Sequence, residues 1–322
     1  MALASADLRE RRTRLAGIAF IVASALAFGA MAILARVAYA DGVDIVTLLA
    51  LRFSIAAACL VVIARIRRID LPRGRDFAAV AALGGIGYGG QAATFFVALT
   101  LAPAGLVALL LYLHPALVAV LAAVLLHERM PAAKLLALVI ALIGLTLTVA
   151  PALSGDSAGA FPRLAIGIAL GLAAATIYSG YIIVATRLTE RVSALALATV
   201  VIASAAVVFA VAATIVGPQF PRSLAGWAAA VGIALICTVA AVTLYFAGLA
   251  RVGPTRASTL STIEPVFTIV LAWMLLGERV GVMQALGGLL ILAAVVMLAR
   301  APSHDRRAAA LPAGPSDSGA KA

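Results

Sequence analysis

The chain has 322 residues, of which 65% are apolar and 11% charged. A soluble domain is roughly 45–50% apolar and about 25% charged, so this chain has too little polar surface for a soluble fold and is far too apolar for disorder. Its net charge of +11 would suggest nucleic acid in a soluble protein. Here the basic residues lie between apolar runs, where they set membrane orientation.

Ten apolar runs follow in chain order: 15–38, 43–64, 77–99, 105–126, 132–150, 164–186, 193–216, 224–249, 255–276 and 281–299. A span needs ~20 apolar residues, and in lipid such a run satisfies its backbone only as a helix. The first run follows Arg9, Arg11, Arg12 and Arg14. It imitates a secretory signal, but it is too long for one and another run follows directly. We read it as a retained helix behind a cytoplasmic arm, 1–14. The segment 151–163 reads as a connecting loop and 300–322, rich in Ala, Pro, Ser and Gly, as a disordered cytoplasmic tail.

With the N-terminus in the cytoplasm, ten spans place 19 of the 24 Lys and Arg residues inside. The outer half keeps Arg36, Arg52, Arg163, Arg222 and Arg279. This asymmetry supports the span count and the orientation together, with both termini cytoplasmic and the plasma (inner) membrane as the location.

The chain also repeats itself at an offset of 150. Pro115 matches Pro265, His127-Glu128-Arg129 matches Gly277-Glu278-Arg279, Phe28 matches Tyr178, Phe95-Phe96 matches Tyr245-Phe246, and Gly17 matches Gly167. Pro103 matches Pro254 with one residue of slip. The repeats occupy 15–150 and 164–299. Each holds five helices, an odd number, so the second enters the membrane from the opposite side. The fold class is therefore all-α: ten transmembrane helices as two inverted five-helix repeats. Many secondary transporters have this architecture, with the substrate site near the midplane.

The segments LYLHPALVAVLAAVLLHERM and LSTIEPVFTIVLAWMLLGERV each carry a mid-helix proline, an apolar run and Glu-Arg at the helix end. They resemble the fourth and ninth helices of EamA-type transporters of the drug/metabolite transporter (DMT) superfamily. LRFSIAAACL, with Arg52-Phe53, resembles the start of that family's second helix. The first copy departs from the pattern with His127 where the second has Gly277, and with His114 where the second has Glu264. The resemblance implies a central cavity and movement of small metabolites, often outward, with no single substrate.

Glu264 is the tenth residue of the run 255–276, near the bilayer centre, while the other acids lie in loops, tails or helix ends. A charge at that depth costs ~2.5–3.5 kcal/mol on insertion scales, so such a residue usually faces a cavity or a partner. Ser261 and Thr268, at i−3 and i+4, share its helix face. Pro265 removes the donor for the Ser261 carbonyl. His114 is the repeat mate of Glu264, and such a pair suits a proton relay or a clamp on a zwitterion. The competing reading is glue: a Glu bonded to a neighbouring helix and a His satisfied by a backbone carbonyl. Pro115 and Pro265 are candidate hinges. Tyr88, Phe95, Tyr112, Tyr178, Tyr181 and Tyr245 lie inside runs, and Tyr112, Tyr178 and Tyr245 are expected to shape the pocket beside Glu264 and His114. Arg52 is expected to snorkel to the outer interface, with binding of an anionic substrate group or pairing with an acid as the alternative. Glu128 and Glu278 read as helix-end salt bridges or gating contacts to Arg129 and Arg279.

Gly85-Ile86-Gly87-Tyr88-Gly89-Gly90 spells GxGxxG but lies in an apolar span, so it reads as helix packing or bending and not as dinucleotide binding. His127-Glu128 begins an HExxH-like string that fails at Pro131. Cys59 and Cys237 form no disulfide framework or metal spacing. The sequence reading is a secondary transporter of small metabolites such as amino acids, exporting them by alternating access. Its partners are the lipid bilayer, the substrate and protons, with no cofactor, metal or nucleic acid. A passive channel or facilitator is the alternative, and a membrane-embedded enzyme a more distant one.

Overall fold

The structure is a computed structural model, described here for residues 2–125, 130–153 and 161–300. Among the described residues, ten helices are long and apolar enough to cross a membrane: α1 Arg12–Ala40, α2 Ile45–Ile66, α3 Gly74–Leu101, α4 Ala104–Val124, α5 Ala132–Pro151, α6 Pro162–Leu188, α7 Ala194–Val216, α8 Leu224–Val252, α9 Thr259–Leu276 and α10 Val282–Arg300. They correspond one to one with the ten runs. No strand occurs among the described residues.

Local chemistry sets several helix ends. The Asp44 carboxylate accepts from the amides of Val46 and Thr47, each at 2.9 Å, and so caps α2. Ser193 and Ser223 cap α7 and α8 through Ala196 and Gly226. At the far end of α9, Gly277 adopts φ +67°, a left-handed stop that costs glycine little. The Glu278 amide then bonds back to Ala272 at 3.2 Å, which turns the Glu278 side chain toward the first repeat.

The helix pairings display the inverted repeat. α1 packs along α8, and their repeat mates α6 and α3 pack along each other. α2 packs along its own mate α7, and α5 along its mate α10. The two halves are therefore interleaved. Two matched glycines permit close approaches. A Cβ on Gly17 would collide with Arg251 and Val252 of α8, and one on Gly167 with Leu101 and Ala102 at the end of α3. Small residues at such crossings let backbones approach where lipid supplies no hydrophobic drive.

Five spans are internally irregular. α1 is interrupted at Ala30, α4 at Tyr112-Leu113, and α9 at Thr262. α3 and α8 each contain one π-helical turn, Leu83–Tyr88 and Leu235–Ala240, at nearly the repeat offset. Side chains that such π turns and breaks present deviate from the 3.6-residue rhythm, and π turns often occur at functional sites.

Candidate functional site

The breaks in α4 and α9 follow from their prolines. Pro115 cannot donate to the Leu111 carbonyl, and Pro265 cannot donate to the Ser261 carbonyl. Both orphaned acceptors are filled by side chains. His114 Nδ1 bonds the Leu111 carbonyl at 3.0 Å, which requires the proton on Nδ1. The Tyr112 hydroxyl bonds the Ser261 carbonyl at 2.6 Å, crossing from one repeat to the other.

Tyr112 also lies 3.0 Å from Glu264 Oε2. Its single proton serves one acceptor at a time. With Glu264 protonated, the acid can donate to the phenol oxygen while the phenol donates to Ser261. With Glu264 ionised, the phenol proton is drawn to the carboxylate and the Ser261 carbonyl loses its donor.

Around this centre the rings form a continuous row. Tyr112 meets His114 at 5.8 Å between centroids, His114 meets Tyr178 at 4.9 Å, and Tyr178 stacks on Tyr181 at 5.8 Å. Tyr181 meets Tyr88 at 5.5 Å, and Tyr88 meets Phe53 at 5.8 Å. The hydroxyls of Tyr112, Tyr178 and Tyr245 and the Glu264 carboxyl are near enough to interact electrostatically. Glu264, His114, Tyr178, Tyr181, Tyr88 and Tyr245 are half-buried.

Glu264 and His114 thus share one region, as their repeat relationship predicts, with Tyr112 between them. Their expected polar neighbours are otherwise engaged. Ser261 Oγ donates to the Ala257 carbonyl at 2.9 Å. Thr268 Oγ1, buried, ties α9 to the interrupted part of α1 through the Gly29 carbonyl at 2.9 Å.

Arg52 differs from its expected default. It is only 3% exposed and points inward. Nε donates to Thr238 Oγ1 at 3.1 Å and Nη2 to the Tyr88 hydroxyl at 3.2 Å. The guanidinium also stands over the rings of Phe53 and Phe96, at 4.8 and 5.4 Å. Snorkelling loses because the π turns of α3 and α8 offer hydroxyls inside the bundle. Thr238 escaped the sequence reading. The available signal was its offset: it is the repeat mate of Tyr88, 150 residues on, and polar within an apolar run.

At the face that carries the α1–α2 loop, Glu278 bridges the repeats. Its carboxylate accepts from the Ala104 and Gly105 amides, at 2.7 and 3.2 Å, and so caps the first turn of α4. Arg36 approaches it at 3.8 Å and donates to the Ala102 carbonyl at 2.8 Å. A cleft of about 520 Å³ lined by Arg36, Thr100, Pro103, Leu276 and Glu278 opens there. The expected helix-end contact is thus present, with a helix N-terminus and Arg36 as partners in place of Arg279. Glu128 and Arg129 lie outside the described residues. On the same face, Asp41 accepts from the amides of Arg222 and Ser223, at 2.7 and 2.9 Å. Asp44 accepts from Gln219 at 3.0 Å. No three His, Cys, Asp or Glu side chains among the described residues converge as metal ligands.

Among the described residues, ten spans, two interleaved inverted repeats, and helices broken at mid-span beside a half-buried acid define a multi-pass membrane protein of the inverted-repeat class. The comparisons give the family. Residues 15–150 and 165–300 each match the EamA-like transporter family, and the chain belongs to that family, within the DMT superfamily. Similar proteins include the uncharacterized transporter YcbK of Bacillus subtilis, 29% identical over 144 residues, 42% of this chain and 46% of that one. Uncharacterized transporters of Synechocystis (23% over 205 residues, 63% of this chain and 61% of that one) and Archaeoglobus fulgidus (27% over 209 residues, 64% and 70%) also match. The aligned part is thus less than two thirds of the first two relatives' lengths. A solved crystal structure superposes with a TM-score of 0.62 at 23% identity, over 88% of this chain and 96% of that chain, and shares the fold.

Proposed function

We propose that this protein is a secondary transporter that exports small metabolites such as amino acids across the plasma (inner) membrane by alternating access. The observation that carries the reading is Tyr112, which bonds the proline-orphaned Ser261 carbonyl of the other repeat and touches Glu264. Glu264 would exchange its proton with the interior space. Tyr112 would pass that change to the break in α9, and Pro115 and Pro265 would leave both broken helices weak enough to bend there. His114, Tyr178 and Tyr245 would line the pathway, with Arg52 at its other end. Ser261 and Thr268 would act as the backbone acceptor and the anchor of α9. The Arg distribution supports cytoplasmic termini, which puts the Glu278 and Asp41 contacts on the outer face.

The test is entrance counterflow in liposomes with labelled amino acids, nucleosides and small organic acids. We expect saturable exchange in the absence of an ion gradient, which a passive channel does not give. Glu264→Gln should insert normally and lose either transport or its dependence on pH. Unaltered transport by Glu264→Gln at every pH would remove Glu264 from the mechanism.

A further inference from the structure

Among the described residues, Arg52 is the one charged side chain in the fully buried class. No carboxylate among them pairs with it; the ion pair they contain joins Arg36 to Glu278. Its neighbours are two hydroxyls and two phenylalanine rings, all neutral. A buried cation without an anion is costly, by several kcal/mol even after relaxation. Such groups inside membrane proteins mark ligand or ion pathways.

The cage around Arg52 orients it. Thr238 accepts from Nε and donates its own proton to the Ile233 carbonyl at 2.9 Å, so it is held in place from both sides. Thr238 lies in the π turn of α8 and Tyr88 ends the π turn of α3. Two repeat-related irregularities therefore meet at one guanidinium. A guanidinium has five N–H donors, and only one on Nε and one on Nη2 are engaged by the protein. Nη1 has no protein partner, yet it is not sealed off: among the described residues the buried side-chain nitrogen without a partner is Nε of Arg36.

The aromatic row leads from this cation to the acid at its other end. Tyr88, beside Arg52, continues through Tyr181, Tyr178, His114 and Tyr112 to Glu264. We propose that Arg52 is the anion subsite of the pathway and that the substrate carries one carboxylate. That carboxylate seats on the free edge of the guanidinium, while the apolar body lies along the tyrosines. One cation suits a monoanion; a phosphate dianion would call for more positive charge than this cage contains. This inference rests on the transporter reading and names its substrate class.

The experiment compares L-leucine and L-phenylalanine with their carboxamides as counterflow substrates of the full-length protein, alone and as Arg52→Gln. We expect the wild type to favour each acid over its amide by at least about 10-fold, and Arg52→Gln to erase that preference by weakening only the acid. Arg52→Lys, which keeps the charge without the fork, should fall between the two and serves if Arg52→Gln does not fold. Equal handling of acid and amide by the wild type, or equal loss of both in the variants, overturns the subsite and leaves the transporter standing. Absence of counterflow for every compound in the wider panel instead overturns the transporter reading, and this inference falls with it.

Discussion

Tyr112 holds two roles with one proton, and its removal separates them. Tyr112→Phe leaves the Ser261 carbonyl and Glu264 without the phenol, both in the interior of the bundle. Loss of one partner from a buried polar group costs about 1–3 kcal/mol, so we expect thermal unfolding in detergent to shift down by that amount. The pH profile of transport should shift or flatten in the same variant, which a purely structural hydroxyl would not cause. Pro265→Ala makes the opposite change. It returns a donor to Ser261 and should stabilise the protein by up to ~3 kcal/mol, while slowing counterflow if the break must flex. Faster counterflow in Pro265→Ala would rule out a hinge. Glu264 and the prolines were legible as single letters, because an acid or an imino acid in a long apolar run has few uses. The partner of the Ser261 carbonyl was not legible, since Tyr112 is 149 residues away in the chain and on another helix.

At the scale of helices and loops, the caps carry the testable energetics. Glu278→Ala removes the acceptor for two amides at the start of α4, and caps of this kind are worth ~0.5–2 kcal/mol. We expect a loss in that range, read as a lower unfolding temperature, with a smaller loss in Glu278→Gln because the amide oxygen still accepts. The Asp41 and Asp44 carboxylates bind the segment before α8. Hydrogen bonds from Ser223, followed by Arg222, hold Asp41 below the ordinary carboxylate range. Partial burial opposes this at Asp44, but the bonds from Thr47, Gln219 and Val46 prevail and hold it low as well. A depressed folded-state pKa means stabilisation that is complete above the unfolded value, ~3.9, and is lost as pH falls through the folded one. Asp44→Asn should therefore destabilise the protein at neutral pH and make progressively less difference in acid. An effect independent of pH from 3 to 7 would show that the charge is not involved. Hydropathy located all ten helices but was blind to their π turns, because a π turn changes the hydrogen-bond register while leaving the apolar content unchanged.

At the scale of the whole molecule, orientation can be checked directly. In a Cys59→Ala, Cys237→Ala background, a membrane-impermeant maleimide added to intact cells should label Phe220→Cys and not Asp70→Cys. The reverse pattern would invert the topology and make the Glu278 contacts cytoplasmic. By itself the sequence determined the membrane class, the ten spans and the doubled, inverted plan, because lipid forces apolar runs into helices and an odd repeat into inversion. It also singled out Glu264, His114 and the two prolines. Only the tertiary structure decided that Arg52 turns inward, that Tyr88 and Thr238 hold it, and that Tyr112 stands between Glu264 and the broken helix. These contacts join residues 36 to 186 positions apart, and their existence depends on how interleaved repeats bring separate helices face to face.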